Sequence, residues 1–387
     1  MSTNSNRRKF IKLSIAGAAG WVAAATPKSF GAKPGKPEYS SKNIITRPTA
    51  PSIRFSVIGL NHGHIYSQTA AVIRGGGELV SFYAKEPDLA EGFAKRYPNA
   101  KLAKSEKEIL EDNSIKLIVS AGIPIDRAPL GIRAMKHGKD YMSDKPGIIT
   151  LDQLAEVRKV QKETKRIYSI MYSERLENKA TIKAGELVKA GAIGNVIQTI
   201  GLGPHRMNIK SRPDWFFDKE KFGGIICDIG SHQFDQFLFF TNSTQAEVLS
   251  SQVGNVHYPN YPKFEDFGDA QVKGNGGTGY VRIDWFTPDG LNTWGDGRLT
   301  ILGTEGFIEI RKNTDIGGRE GGSHLFLVDN KETKYIDSKE VDLPYGEQLV
   351  NDIVNRTETA MTQEHCFLAT ELALKAQKQA KWLDLKK

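Results

Sequence analysis

Two cysteines in 387 residues, Cys227 and Cys366, are too few for a disulfide scaffold. Both sit in apolar, helix-like surroundings, where a cysteine behaves as a small buried hydrophobe. Long apolar runs are also missing. The longest soft stretch, Leu13 to Ala25, falls short of the ~20 residues that span a bilayer. No internal repeat and no low-complexity tract is present, which excludes solenoids and fibres. Concentrated positive charge is absent too. The net charge is +8, but four of the cations are Arg7, Arg8, Lys9 and Lys12, and the remainder is dispersed without interleaved aromatics. Nucleic acid is therefore not an expected partner. What is there is ordinary for a soluble globular protein, with 39% hydrophobic and 25% charged residues. The length suffices for two domains with real cores.

The amino terminus has its own character. Arg7-Arg8-Lys9-Phe10 precedes the weakly hydrophobic Leu13–Ala25 segment. Paired arginines before such a segment look like a twin-arginine export signal, which predicts a periplasmic protein delivered folded by the twin-arginine machinery. Ala23-Ala24-Ala25 offers a small-residue cleavage site, giving a mature start near Thr26 and no stable membrane insertion afterwards; the alternative is an uncleaved leader acting as an anchor. Residues 26–52 hold five prolines and little apolar content, and read as an extended linker or arm.

From Ile53 the pattern alternates strand and helix. Strands are expected at Ile53–Gly59, Glu78–Ala84, Lys116–Ala121, Asp140–Ser143 and Ile167–Tyr172, with helices between them. This predicts parallel βαβ units and a doubly wound sheet, a Rossmann domain over 53–172. After residue 173 come longer β-rich segments with few helices. They predict an α+β domain over 173–387 with a large, mostly antiparallel open sheet. Its two final helices fall near Gly346–Thr357 and Gln363–Lys381.

Gly59-Leu60-Asn61-His62-Gly63-His64 follows a strand and precedes a helix. In that setting backbone N–H groups can meet a pyrophosphate at a helix N-terminus. Against G-x-G-x-x-G, Asn61 takes the second glycine's place and His64 the third's. Asn61 is expected to tolerate left-handed backbone, and Gly63 to supply a free position. The acid that usually ends the second strand is replaced by Ala84, with Glu86 two residues on and Lys85 between them. Both NAD and NADP stay open, with a lean to NAD. Ser120, at the end of the third strand, completes the expected cofactor contacts. His62 and His64 form an H-x-H pair with no further ligand cluster in view, so no metal is expected.

Two segments carry chemistry. Lys145, in Asp144-Lys145-Pro146, closes a strand of the first domain, where parallel sheets bind ligands. A lysine there can stabilise an oxyanion as hydride leaves the carbon, or it is a surface lysine before a turn proline. Asp228 and His232 stand four apart at a helix start, on one face. A histidine titrating near neutrality is a natural general base, with Asp228 binding hydroxyls or holding the ring and Asp235 orienting it from the other side. The alternative is a helix cap with a buried histidine.

In this order the segments resemble the Gfo/Idh/MocA oxidoreductases. The likeness runs from about Ile53 to the carboxyl terminus. Gly59–His64 resembles the family's nucleotide loop, and Asp144-Lys145-Pro146 its Glu-Lys-Pro, with Asp for Glu. Gly223–His232 is similar to its glycine-rich Asp-x-x-x-His segment, and Arg298–Gly306 to its late β signature. The resemblance implies a nicotinamide-dependent oxidoreductase in which Lys145 and His232 handle a hydroxyl proton and Asp228 assists. It implies a carbohydrate or polyol substrate and a homodimer or homotetramer; an exported nicotinamide enzyme has no pool of free cofactor to draw on, so its nucleotide is expected to be tightly held. Tyr172, Arg175, His205, Arg206, Trp215 and Asp235 are further substrate candidates, whereas Trp294 reads as structural. Two other functions fit the same segments. One is a redox-neutral NAD-dependent glycosidase or lyase working through a transient keto sugar. The other is a non-catalytic sugar-binding protein on a dehydrogenase scaffold.

Overall fold

The structure, a computed structural model, describes residues 52–385. The arginine pair, the Leu13–Ala25 segment and most of the proline-rich stretch lie outside the described residues.

The first half forms as its periodicity predicts. Strands β1 (Ile53–Ile58), β2 (Gly77–Tyr83), β3 (Lys101–Leu102), β4 (Ile115–Ser120), β5 (Asp140–Ser143) and β6 (Tyr168–Ile170) alternate with helices α1 (His64–Arg74), α2 (Pro87–Arg96), α3 (Glu106–Glu111), α4 (Pro124–Lys136) and α5 (Leu151–Thr164). The strands make one sheet in the order β3-β2-β1-β4-β5-β6, and every pairing is parallel. β5 is buried throughout and β4 at every position but Lys116, as in a parallel sheet covered by helices on both faces. The strand order reverses between β1 and β4, so the crevice beyond their carboxyl ends is the natural ligand position.

After the short helix α6 (Ser173–Leu176) and α7 (Lys179–Lys189), strand β7 (Val196–Pro204) enters a second sheet. Its other members are β8 (Ala246–Gly254), β9 (Phe267–Gly274), β10 (Gly277–Asp284), β11 (Arg298–Gly303), β12 (Gly306–Arg311), β13 (His324–Asp329), β14 (Thr333–Asp337) and β15 (Lys381–Trp382). The order is β14-β13-β12-β11-β7-β10-β9-β8-β15. Pairing is antiparallel, as expected, except that β10 runs parallel to β7 and β15 parallel to β8. The β7–β10 exception arises because the chain leaves β7, passes through helix α8 (Ser231–Thr241) and the β8–β9 hairpin, and only then returns beside it. Helix α8 is buried on nearly every side, including His232, Gln233, Asp235 and Gln236. It lies beneath β7 and packs against helix α10 (Gln363–Gln379), while helix α9 (Tyr345–Asn355) packs against α1 of the first half.

One continuous hydrophobic core runs from Phe55 and Val119 in the first sheet through Tyr172 to Ile226, Phe234 and Ile283 in the second half. Cys227 and Cys366 are buried free thiols within it. Among the described residues, no helix is long and apolar enough to cross a membrane.

Candidate active site

The β1 and β4 loops meet at the switch point. Gly59 adopts φ +85°, and a Cβ there would come 2.9 Å from the Gly122 Cα. Only glycine lets the two loops approach so closely. Backbone bonds lock them, His62 N–H to Ala121 O (2.9 Å) and Ala121 N–H to Gly59 O (3.1 Å). The left-handed position is therefore Gly59 and not the ones the loop pattern suggested. Gly63 is right-handed at φ −61°, and Asn61 is not among the positive-φ residues. Asn61 instead donates its carboxamide N–H to Glu86 Oε1 at 2.8 Å. Gly59, Asn61, Ala84, Lys85, Glu86, Ser120 and Gly122 line one cavity. Helix α1 has no side-chain cap and no acid in its first turn. Its N-terminal N–H groups suit an anion.

A second cavity, of about 280 Å³, lies between the two sheets. Its wall takes His62, His64, Arg127, Lys145 and Pro146 from the first half, and His205, Arg212, Trp215, Asp228, Trp285 and Trp294 from the second. Lys145 follows β5, and its Nζ donates to Asp228 Oδ1 at 2.7 Å. Asp228 sits in a five-residue turn, Ile226–Gly230, wound as a π-helix before α8. Such wide turns recur at functional sites. Burial pushes the Asp228 carboxyl up, but the Lys145 ammonium and its hydrogen bond, with His62 and His205, hold it below its ordinary value.

Arg127 organises the floor of this cavity. It is fully buried; its Nε donates to Gly122 O at 2.7 Å and an Nη to Lys145 O at 2.6 Å. Its other Nη stands 3.1 Å from Asp144 Oδ2 without an aligned hydrogen bond. His64 Nδ1–H donates to Asp144 Oδ1 at 2.9 Å. Burial works against the Asp144 charge, yet His64, Arg127 and His62 hold its carboxyl well below the usual range. Sequence spacing had offered His62 and His64 no further ligand. Folding brings Asp144 to them, with one donor atom from each residue within 4.8 Å of the others. Arg127 already balances that carboxylate.

The two sequence-predicted histidines of the second half exchange prominence. His232 is only 2% exposed and does not line the cavity. Burial, ahead of any charge, lowers its imidazole to about 3, against the expectation of titration near neutrality. Neither acid proposed to hold it does so. Asp228 serves Lys145, Asp235 serves Arg175 and His365, and His232 Nδ1 has no partner among the described residues. His205 does line the cavity, set edge-on against Trp285 and Trp294 at 5.3 and 4.6 Å between ring centres. Its Nδ1–H donates to Gly203 O at 3.1 Å, which leaves Nε2 as the acceptor. Burial first, then Lys145, lowers it to about 4.

Four substrate candidates, Tyr172, Arg175, Asp235 and Arg206, lie away from this cavity. Tyr172 is buried, its hydroxyl 2.9 Å from Thr370 Oγ1. Arg175 makes a bidentate pair with Asp235, both contacts 2.7 Å, and His365 Nε2–H donates to the same carboxylate at 2.8 Å. Arg175 and Asp235 are thus partners of each other. Arg206 lines a neighbouring cavity and donates to the Pro288 and Leu291 carbonyls. Trp215 lines the central cavity as expected, and so does Trp294, whose role had been read as structural. Arg127, Arg212 and Trp285 carried no sequence signal. Arg212 packs over the Phe216 and Trp285 rings at 4.5 and 4.8 Å, a contact created only by the fold.

Comparison with known proteins agrees with this architecture. Residues 181–309 match the model of the GFO/IDH/MocA C-terminal domain. A solved structure of a candidate oxidoreductase from Erwinia carotovora atroseptica SCRI1043 is 46% identical, covers 86% of this chain and 100% of that one, and superposes with a TM-score of 0.84. The scyllo-inositol 2-dehydrogenase (NAD(+)) of Bacillus subtilis is 26% identical over 265 residues, which is 67% of this chain and 73% of the relative. Levoglucosan dehydrogenase, solved with NADH and levoglucosan, shares the fold at 16% identity, covering 84% of this chain and 95% of that one with a TM-score of 0.70. The protein is an oxidoreductase: the chain belongs to the Gfo/Idh/MocA family.

Proposed function

We propose that the protein is an exported nicotinamide-dependent oxidoreductase acting on a hydroxyl of a carbohydrate or polyol. The observation that carries this is the Lys145–Asp228 pair, which joins the two halves inside a cavity abutting the nucleotide loop. The loop residues fit the cofactor. Gly59 lets the backbone close on Gly122, helix α1 offers an uncapped N-terminus, and Ser120, Ala84 and Glu86 border the adjoining cavity. NAD is favoured over NADP because the Glu86 carboxylate lines that cavity and would repel a 2′-phosphate. The relatives named for NAD(+) and NADH support the nicotinamide.

When bound, the cofactor supplies the hydride acceptor. The chain supplies the rest. Lys145 donates a hydrogen bond to the reacting oxygen and steadies negative charge there. Asp228 keeps Lys145 aimed and accepts from a neighbouring hydroxyl. His205, with Nε2 free and its ring neutral, takes the alcohol proton. His232 stands behind, within reach of the Lys145 and Glu174 charges, as a second imidazole in that path. Trp215, Trp285 and Trp294 provide faces for a sugar ring. Exposed Ile200 and Leu302 on the outer face of the second sheet support pairing of subunits. The arginine pair and its soft apolar segment support export in the folded state with cofactor held tightly.

The test is native mass spectrometry of the mature protein, then a sugar and polyol panel read at the reduced-nicotinamide absorbance. A stoichiometric nicotinamide adduct and absorbance change with at least one sugar are expected. A purified protein that neither retains nor binds NAD(P) overturns the reading.

A further inference from the structure

Beside the central cavity lies a larger one, of about 640 Å³. Its wall is built from three runs of chain, Arg206 to Ser211, His257 to Tyr258, and Trp285 to Asp289. The two cavities are immediate neighbours. Trp285 lines both, while His205 and Ser211 have chain neighbours, Arg206 and Arg212, in the opposite cavity. At about 280 Å³ the central one alone falls just below the roughly 300–1,000 Å³ of small-molecule sites.

The wall chemistry of the larger cavity suits a sugar. Phe286 presents an exposed ring. His257 stands 5.0 Å from Tyr258 and 6.4 Å from Phe286, centre to centre. The three rings stand edge to face, and His257 and Tyr258 also carry polar edges. Asn208, Lys210 and Ser211 on one side, and Thr287 and Asp289 on the other, surround them with donors and acceptors. In the same wall, Arg206 Nε stands 3.5 Å from the exposed Asp289 carboxylate, which sets a charged pair beside the rings.

We propose that this cavity is a second subsite, taking a second sugar ring linked to the one whose hydroxyl reacts, so that the preferred substrate is a disaccharide or longer glycoside. The inference rests on the oxidoreductase reading above but is tested apart from it. Matched pairs, such as glucose with cellobiose and maltose, galactose with lactose, and xylose with xylobiose, are given to the NAD-loaded protein. Binding is followed by tryptophan fluorescence and turnover by reduced-nicotinamide absorbance. At least one disaccharide is expected to bind tenfold or more tightly than its parent. Phe286→Ala, at an exposed ring, and Lys210→Ala, at an exposed donor of the same wall, are each expected to remove most of that advantage and leave the monosaccharide constant within twofold. Equal binding within every pair, an advantage that survives both variants, or no binding of any disaccharide overturns the subsite. Selective disaccharide binding without any absorbance change supports the subsite and overturns the redox reading instead.

Discussion

Lys145 Nζ lies 2.7 Å from Asp228 Oδ1, and the two residues come from different halves of the chain, one after β5 and one in the turn before α8. Neither side chain is solvated well enough to stand alone, with 4% and 13% of their surfaces exposed. The pair therefore does two jobs. It ties the π-wound turn to the end of β5, and it aims an ammonium into the cavity. Removing one partner of such a buried pair leaves the other charge uncompensated, a loss of about 3–5 kcal/mol.

These two jobs separate in a mutant cycle. Lys145→Met is expected to lower kcat/KM by at least about 10²–10³-fold, the size of losing one donor to a developing oxyanion. It should also lower Tm. Asp228→Asn should cost less activity. The double variant should recover stability relative to Lys145→Met without recovering turnover, because the stranded carboxylate is gone but the ammonium is still missing. Calorimetry and steady-state kinetics on the four proteins check this.

The two imidazoles make opposite predictions. His205→Gln removes the base that lines the cavity, and a fall in kcat of about 10²–10⁴-fold is expected. His232→Gln acts from behind the wall and should cost markedly less. With His205 lowered to about 4 and His232 to about 3, the acid limb of kcat/KM in the wild type should fall below about pH 5. A limb centred near the ordinary histidine value of about 6.5 would contradict the burial of both rings.

Stability should follow pH with a fixed sign. The folded values of His205 and His232 lie below the unfolded value, so on acidification the unfolded chain binds these protons first. Stability from them is full above about pH 6.5 and declines toward pH 4. Asp235 is pulled down to about 2: its burial is unfavourable, but the Arg175 and His365 charges and bonds outweigh it. Asp228 and Asp144 shift in the same direction. Their contribution is present above the ordinary carboxylate value of about 3.9 and is lost as pH falls through their folded values. Tm should therefore drop without a plateau from pH 6.5 downwards, which scanning calorimetry in low-salt buffers measures.

Arg175 and Asp235 give a structural control. Their bidentate pair, closed by His365, is buried away from the central cavity. Asp235→Asn should lower stability by several kcal/mol and leave KM for any turned-over sugar within about twofold. A large change in KM at unchanged Tm would return these residues to the substrate.

Much of this architecture was legible in the sequence because hydrophobic period is a local property. The strands from Ile53 and the Ser231 helix fall within a few residues of expectation. What escaped was short or non-local. β3, with two residues, and β15, also with two, carry too little pattern to register. The left-handed turn moved to Gly59 because its cause is Gly122, 63 residues on. His232 kept its helical spacing from Asp228, but burial depth is set by α8 being covered on all sides, and spacing does not encode that. Asp144 completes the His62–His64 cluster through the meeting of the β1 and β5 loops, and Arg127 reaches the same carboxylate from α4. Lys145 was legible for the opposite reason. The end of a parallel strand fixes where its side chain can point.

The nucleotide loop supplies the last test. Glu86 accepts from Asn61 while facing the cavity that would hold the adenosine end. It therefore supports the loop and supplies the only carboxylate within three residues of the β2 end, where Ala84 stands in the usual acid's position. Glu86→Ala should weaken NAD retention by removing both effects, and should weaken NADP less, since a negative charge near the 2′ position disappears with it. Restoring an acid with Ala84→Asp should shift the ratio the other way, toward NAD, without disturbing the Asn61 contact. Affinities of both nucleotides for the three proteins, measured by calorimetry after cofactor stripping, decide the point. A ratio unmoved by either substitution would mean that the ribose is read elsewhere, with Lys85 and Arg133 the remaining charged groups on that wall besides Glu106 and Asp126.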